Sequence, residues 1–342
     1  MKGTSCSSRA QRQRARRSPR AQRGVALIVA ILLVALGTII AATVAYENAM
    51  AARRGTATFA FDESIMVAEG AEAYAAFGIR QLFQADPNNV YLGQGWDKPV
   101  GPMEVVPGVM LEASLEDLQG RLNLNMLVQK DGTPDPVYVA ALTKLLELVG
   151  LETKWAPMIV DWIDIDIVPQ SIDGAEDSVY MGQTPPYRAA NRYITSATEL
   201  LALPGFGRER YLALAPYIVA LPNNTKINVC TAKDKVLDAF LPQGQTEFSA
   251  TVGQLDKNRT AATTGGCFPT LANYQAALGS PKATGASPNN AASPIAKFGQ
   301  ASQYFRLSSF ITVGSTQFSL YSLLYRDNTG AVRPIQRSFT PD

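Results

Sequence analysis

Between Asp161 and Asp177 the chain places six carboxylates in seventeen residues: Asp161, Asp164, Asp166, Asp173, Glu176 and Asp177, within DWIDIDIVPQSIDGAEDSVY (161–180). Charge this dense repels itself unless water solvates it or a cation neutralises it. Carboxylates without histidine or cysteine suit a hard cation. A pliable loop favours Ca²⁺ over Mg²⁺, which demands near-ideal octahedral geometry. The spacing is not that of an EF-hand, because no D-x-D-x-D-G run leads to a glutamate at the twelfth position. A solvated acidic loop is the alternative reading of the residues alone.

No histidine occurs anywhere in the 342 residues. That removes Ser-His-Asp and Cys-His catalysis, histidine-ligated zinc and histidine general-base chemistry together. A membrane-anchored hydrolase would have to use a Ser-Lys pair or paired carboxylates. A second stretch, ELLALPGFGRERYLALAPYI (199–218), sets an L-P-G-F-G turn between two helical runs and looks like a helix-hairpin-helix. In that motif Gly-flanked amides hold DNA phosphate, and Arg208 and Arg210 would assist. Glu209 stands between them, and a plain packing turn is the other reading. Of three cysteines, Cys6 lies near the N-terminus, leaving Cys230 and Cys267 downstream. In an oxidising compartment such a pair points to one disulfide; two separate thiols are the alternative.

The compartment follows from the N-terminus. Residues 25–45 carry no charge over 21 residues, enough to cross the ~30 Å hydrocarbon core as a helix. Eight Lys/Arg and no acid precede them, which predicts a cytoplasmic N-terminus and export of everything beyond about residue 46. A secretory signal peptide would have a shorter apolar core leading to an A-x-A site. The 31 basic residues less those eight leave 23 against 29 acidic residues. The exported part is therefore acidic, which disfavours general attraction to nucleic acid.

Apolar residues at three-and-four spacing, among them Phe61, Ile65, Ala68, Ala75 and Ile79, carry the helix on to about Gln84. Residues 25–84 as one helix would make a rod of about 90 Å. A Pro/Gly-rich connection (87–108) leads to strand-like runs at 109–116 and 121–125. Three antiparallel strands close the chain at 303–313, 316–326 and 332–339, with turn sequences between them. The intervening 133–240 reads as helices. One runs from Asp135-Pro136 to Gly150, a second covers 152–163, a capping box Ser196-Ala197-Thr198-Glu199 opens a third, and Thr231 caps a fourth. GRLNLNML (120–127) and TKINVCTA (225–232) echo one another. Residues 241–302, rich in Ala, Gly, Ser, Asn and Pro, read as a mobile loop.

Taken with their order, these stretches resemble a type IV prepilin. A basic leader ends in Arg23-Gly24, and an apolar helix begins at Val25. The resemblance implies that prepilin peptidase cuts after Gly24 and that the new N-terminus at Val25 is methylated. Most such proteins carry Glu at the fifth mature position; this chain has Val29. Further matches are DLQGRLNLNML (117–127), DWIDID…DGAEDSVY (161–180), PPYRAANR (185–192), LLALPGFG (200–207), KINVCTA (226–232) and YSLLYRD (321–327). Together they are similar to the K-type minor pseudopilins of type II secretion.

That resemblance implies an α+β fold: a pilin-like long N-terminal helix packed on a small antiparallel sheet. A large α-helical domain, SAM-like or helix-hairpin-helix-like, is inserted in the sheet. The implied division is a leader (1–24), a membrane part (25–45) and a periplasmic part (46–86) of the helix. After these come the first part of the sheet (87–132), the inserted domain (133–240), the flexible region (241–302) and the C-terminal strands (303–342). The resemblance also implies structural Ca²⁺ on Asp164, Asp166, Glu176 and Asp177, with Asp161 and Asp173 as further candidates. Where relatives read I-N-V-N-T-A this chain has Cys230, and a disulfide to Cys267 would explain the departure. No enzymatic activity is implied. The expected role is a single-pass inner-membrane subunit with a periplasmic head at the tip of a secretion pseudopilus. Its partners would be the I and J minor pseudopilins, the other pseudopilins, prepilin peptidase and inner-membrane lipid. A DNA-uptake pseudopilin using the hairpin turn is the rival.

Overall fold

The computed structural model describes residues 20–251, 253–260, 266–279 and 293–341. The basic run up to residue 19, with Cys6, lies outside them. The chain divides into two compact units, residues 1–61 and 62–342. Helix α1 (Arg20–Ala85) belongs to both. In the first unit its apolar window has a mean hydropathy of 3.0 and is wholly exposed, long and apolar enough to cross a membrane. Gly24 and Val25 sit inside this continuous helix.

In the second unit a five-stranded antiparallel sheet runs in the order β1-β2-β7-β8-β9. Its strands are β1 (Val100–Val106), β2 (Val109–Asp117), β7 (Tyr304–Val313), β8 (Thr316–Arg326) and β9 (Val332–Ser338). Between them in sequence come the two-residue strands β3 (Leu122–Asn123), β4 (Ile218–Val219), β5 (Ile227–Asn228) and β6 (Phe298–Gly299). Alternation decides the sheet's faces. Val109, Leu111, Phe305, Leu307, Ile311, Leu320 and Leu324 turn inward and meet Ala68, Ala71 and Ile79 of α1 in one core. Glu72, buried on the same helix, accepts hydrogen bonds from Ser322 and Arg337, so the helix is keyed to β8 and β9 by charge as well as packing.

The chain leaves this sheet after β2 and returns at β7, two neighbours in the ladder. Everything between is an insertion with its own core. Its helices are α2 (Pro136–Leu148), α3 (Trp155–Ile163), α4 (Asp177–Tyr180), α5 (Gly207–Leu214), α6 (Asp234–Ala239), α7 (Gln254–Thr260) and α8 (Leu271–Ala277). Asp135 caps α2 by accepting from the amides of Val137 and Tyr138.

Several expected elements fold otherwise. The clean alternation at 121–125 yields only β3 followed by a 3-10 turn, because Asn123 spends its side chain accepting from the Asn125 amide. Residues 100–106, expected as connection, are the edge strand β1. The Ser196 box opens a 3-10 helix, Ala197–Ala202, and Glu199 reaches the Thr195 amide instead of that of Ser196. Thr231 does not cap α6; its hydroxyl donates to Asp117. The 241–302 region is no plain loop, since α7, α8 and β6 lie in it; residues 252, 261–265 and 280–292 fall outside the described residues.

The two echoing stretches fold alike. Leu122 and Asn123 pair in parallel with β4, and Ile227 and Asn228 pair in parallel with β6. In each, the asparagine side chain accepts from the amide two residues on.

Candidate metal centre

The acidic loop hangs between two helix ends. Helix α3 is anchored by Trp155, Ala156, Ile159, Val160 and Ile163 in the insertion core. Asp164 terminates α3 and Glu176 precedes the first turn of α4, so both carboxylates sit on backbone that is fixed on one side. Beyond Glu176, Tyr180 packs edge-on against Trp162 and tilted against Tyr187, with centroids 5.1 and 5.5 Å apart. Tyr187 donates to the carbonyl of Ala202 at 2.6 Å, tying this aromatic cluster to the following segment.

Asp161 folds the loop back. Its Oδ1 accepts from the Gln170 amide at 3.1 Å and its Oδ2 from the Ala175 amide at 2.7 Å. Gly174 lets the chain pass so close; a Cβ there would stand 2.3 Å from Asp161 Oδ2 and 2.9 Å from Pro169. The fold-back delivers Glu176 to Asp164 and Asp166, and one carboxylate oxygen from each of the three lies within 4.8 Å of the other two.

Two of the three are buried and the third stands at the rim. Both Glu176 oxygens and Asp164 Oδ1 are buried without a hydrogen-bond partner. Asp164 Oδ2 accepts from Gln170 Nε2 at 3.1 Å, and Asp166 Oδ1 accepts from the Val168 amide at 2.8 Å. Burial, then the charges of Asp166 and Asp161, pushes the Asp164 carboxyl up to about 7. Burial, then Asp161, Asp164, Asp166 and Asp177, pushes Glu176 up to about 7 as well. Orphaned buried carboxylate oxygens beside like charges are the chemistry that a bound cation would satisfy, in both hydrogen-bonding and electrostatic terms. The donor set fits a hard divalent ion.

The other three expected ligands stand outside this group. Asp161 spends both oxygens on loop amides. Asp177 accepts from the Ala189 amide at 3.0 Å and lies 3.8 Å from Arg188. Asp173 is exposed. Sequence reasoning missed Gln170, Gly174 and Asn191, whose side chain donates to the Asp166 carbonyl at 2.8 Å. Only the D-G pair at 173–174 signalled a turn; nothing in the spacing singled out Gln170 or Asn191.

The hairpin turn packs into the insertion core. Gly205 and Gly207 take positive φ (78° and 72°), Phe206 is fully buried, and its ring lies 5.1 Å from Trp155. Arg210 is occupied: it donates to Glu152 and to the carbonyls of Gly205 and Phe206. Farther on, Cys230 and Cys267 are joined by a disulfide across 37 residues.

A polar node ties insertion to sheet. Buried Asp117, at the end of β2, accepts from the Gln119 amide, Thr231 Oγ1, Ser302 Oγ and Asn228 Nδ2 at 2.6 to 3.0 Å. Burial raises its pKa and the hydrogen bonds oppose that rise.

Residues 120–223 match the family model described as type II secretion system (T2SS), protein K. The type II secretion system protein K of Pseudomonas aeruginosa is 30% identical over 93% of this chain and 93% of its own length. That of Aeromonas hydrophila is 37% identical over 63% of this chain and 69% of its own. Among solved structures, a chain of the GspK-GspI-GspJ complex from enterotoxigenic Escherichia coli superposes with a TM-score of 0.69 at 21% identity. That match covers 84% of this chain and all of that one, and it shows a shared fold.

Proposed function

Since the chain belongs to the type II secretion system protein K family, we propose that it acts as a minor pseudopilin at the tip of the secretion pseudopilus. There it assembles with I-type and J-type minor pseudopilins, helps nucleate the filament and so supports export of folded proteins across the outer membrane. The observation that carries this reading is the helical insertion between the neighbouring strands β2 and β7. A filament subunit must bury its flanks against copies of itself, and a domain of this size on the sheet opposes that packing. A terminal subunit needs no neighbour beyond it. Val29, an apolar residue where shaft subunits carry a glutamate, fits the same position. The structure of the GspK-GspI-GspJ complex supports the choice of partners.

The chain's role is assembly, not catalysis. Residues 25–45 anchor it in the inner membrane, with the basic leader cytoplasmic and the head periplasmic. Prepilin peptidase removes the leader after Gly24, and Val25 becomes the methylated N-terminus. Calcium is the structural ion, held by Asp164, Asp166 and Glu176. It neutralises the carboxylates that otherwise repel across the fold-back. Co-purification of the full chain with the I and J minor pseudopilins tests the reading. A stable ternary complex is expected, and secretion should fail in its absence. Failure to associate with either protein would refute it.

A further inference from the structure

Four aliphatic side chains stand in solvent on the loop between α3 and α4: Ile165 (70% exposed), Ile167 (73%), Val168 (67%) and Ile172 (101%). The core beneath closes without them, through Trp162, Ile163, Ala175 and Tyr180. Cation binding does not need them either, because serine or asparagine would span the same backbone. Exposed aliphatic side chains concentrated in this way mark a surface that meets something else.

The charge around them says what. Residues 161–180 hold six carboxylates and no Lys or Arg, so even one bound divalent cation leaves the segment net negative. Asp166 and Asp173 are exposed among the aliphatic residues. An anionic bilayer is repelled by that field, and a neutral apolar groove leaves the acids unpaired. We infer that this loop docks a cationic amphipathic segment of a partner protein. The partner's apolar face covers Ile165, Ile167, Val168 and Ile172, while its Lys or Arg flanks meet the surrounding carboxylates. Apolar anchors with a charged rim are the usual anatomy of such contacts. The loop stays net negative with or without a bound divalent cation, so the preference for a cationic partner holds in both cases.

The test uses the full chain in phosphatidylcholine nanodiscs, followed by hydrogen exchange of residues 164–174. The probe is a synthetic amphipathic helix of leucine and lysine, with the leucine–glutamate version as control. The lysine peptide should slow exchange in the loop saturably, and the glutamate peptide should not. In Ile167→Ser/Ile172→Ser, half-protection should need roughly tenfold more peptide or above. Asp173→Asn, which leaves every apolar contact in place, should weaken protection and reduce its salt dependence. Equal protection of the double variant and wild type, or by both peptides, overturns the inference. Protection by phosphatidylglycerol vesicles without peptide would assign the loop to a membrane surface instead.

Discussion

Glu176 has two buried oxygens with nothing to accept from and four carboxylates close enough to raise its pKa. Such a residue makes the cation-free head sensitive to pH. Asp164 and Glu176 hold protons up to about 7 in the folded state, whereas the unfolded chain releases them near 4. The folded form therefore binds more protons across that window, and stability without calcium falls as pH rises from about 4 to about 7. Calcium needs the deprotonated acids, so its affinity should strengthen over the upper part of the same window. Melting temperatures with chelator and with calcium, measured from pH 5 to 8, should diverge as pH rises; parallel curves would contradict the site. Gly174 gives a second check at this scale. Gly174→Ala drives a methyl into Asp161 Oδ2 and Pro169, which should cost roughly 1–3 kcal/mol. Because the fold-back carries Glu176, calcium affinity measured by titration calorimetry should fall in the same variant.

At the scale of elements, the sequence spoke clearly wherever local chemistry and tertiary demand agreed. Alternation marked β7, β8 and β9, and Asp135-Pro136 marked the start of α2. Where a side chain served a distant partner, local rules misled. Thr231 looks like a cap but answers Asp117, more than a hundred residues away. Likewise β1, with Pro and Gly in it and every residue exposed, offers no inward pattern to read and exists because β2 pairs with it. The acidic loop was legible as a cluster, yet which three acids converge depended on Asp161 and Gly174 bending the chain. The Asp117 node is itself testable. Asp117→Ala leaves the Ser302 hydroxyl and the Gln119 amide without an acceptor and Thr231 Oγ1 with only a 3.5 Å contact to the Asn228 carbonyl, and each group buried unpaired costs about 1–3 kcal/mol. Denaturant unfolding should show a loss of at least about 2 kcal/mol. The disulfide acts on the same region from the other side. Cys230→Ser/Cys267→Ser frees a 37-residue loop, at about 3–4 kcal/mol in the chain-entropy model. In wild-type protein both thiols should resist alkylation until reduced.

For the whole molecule, the decisive question is whether the apolar helix is a retained anchor or a discarded signal. In the first unit, α1 passes through Gly24 and Val25 without a break, and no atom beyond its own neighbourhood lies within 4 Å of the position a Gly24 Cβ would take. Packing among the described residues therefore does not require glycine there. A requirement for glycine must come from something that handles the chain, and a peptidase cleft that admits only a small residue before the scissile bond is such a constraint. Gly24→Glu should leave folding of the head untouched, since residues 62–342 form a compact unit of their own. It should block cleavage, so the protein accumulates in the inner membrane with its leader attached. N-terminal sequencing and intact mass decide the matter: wild type should begin at Val25 with one added methyl group, and the variant should keep its leader. A variant still trimmed to Val25, or a wild type cut beyond residue 45, would mean that the apolar segment is not a pilin-type anchor, and the placement in a pseudopilus would fall with it.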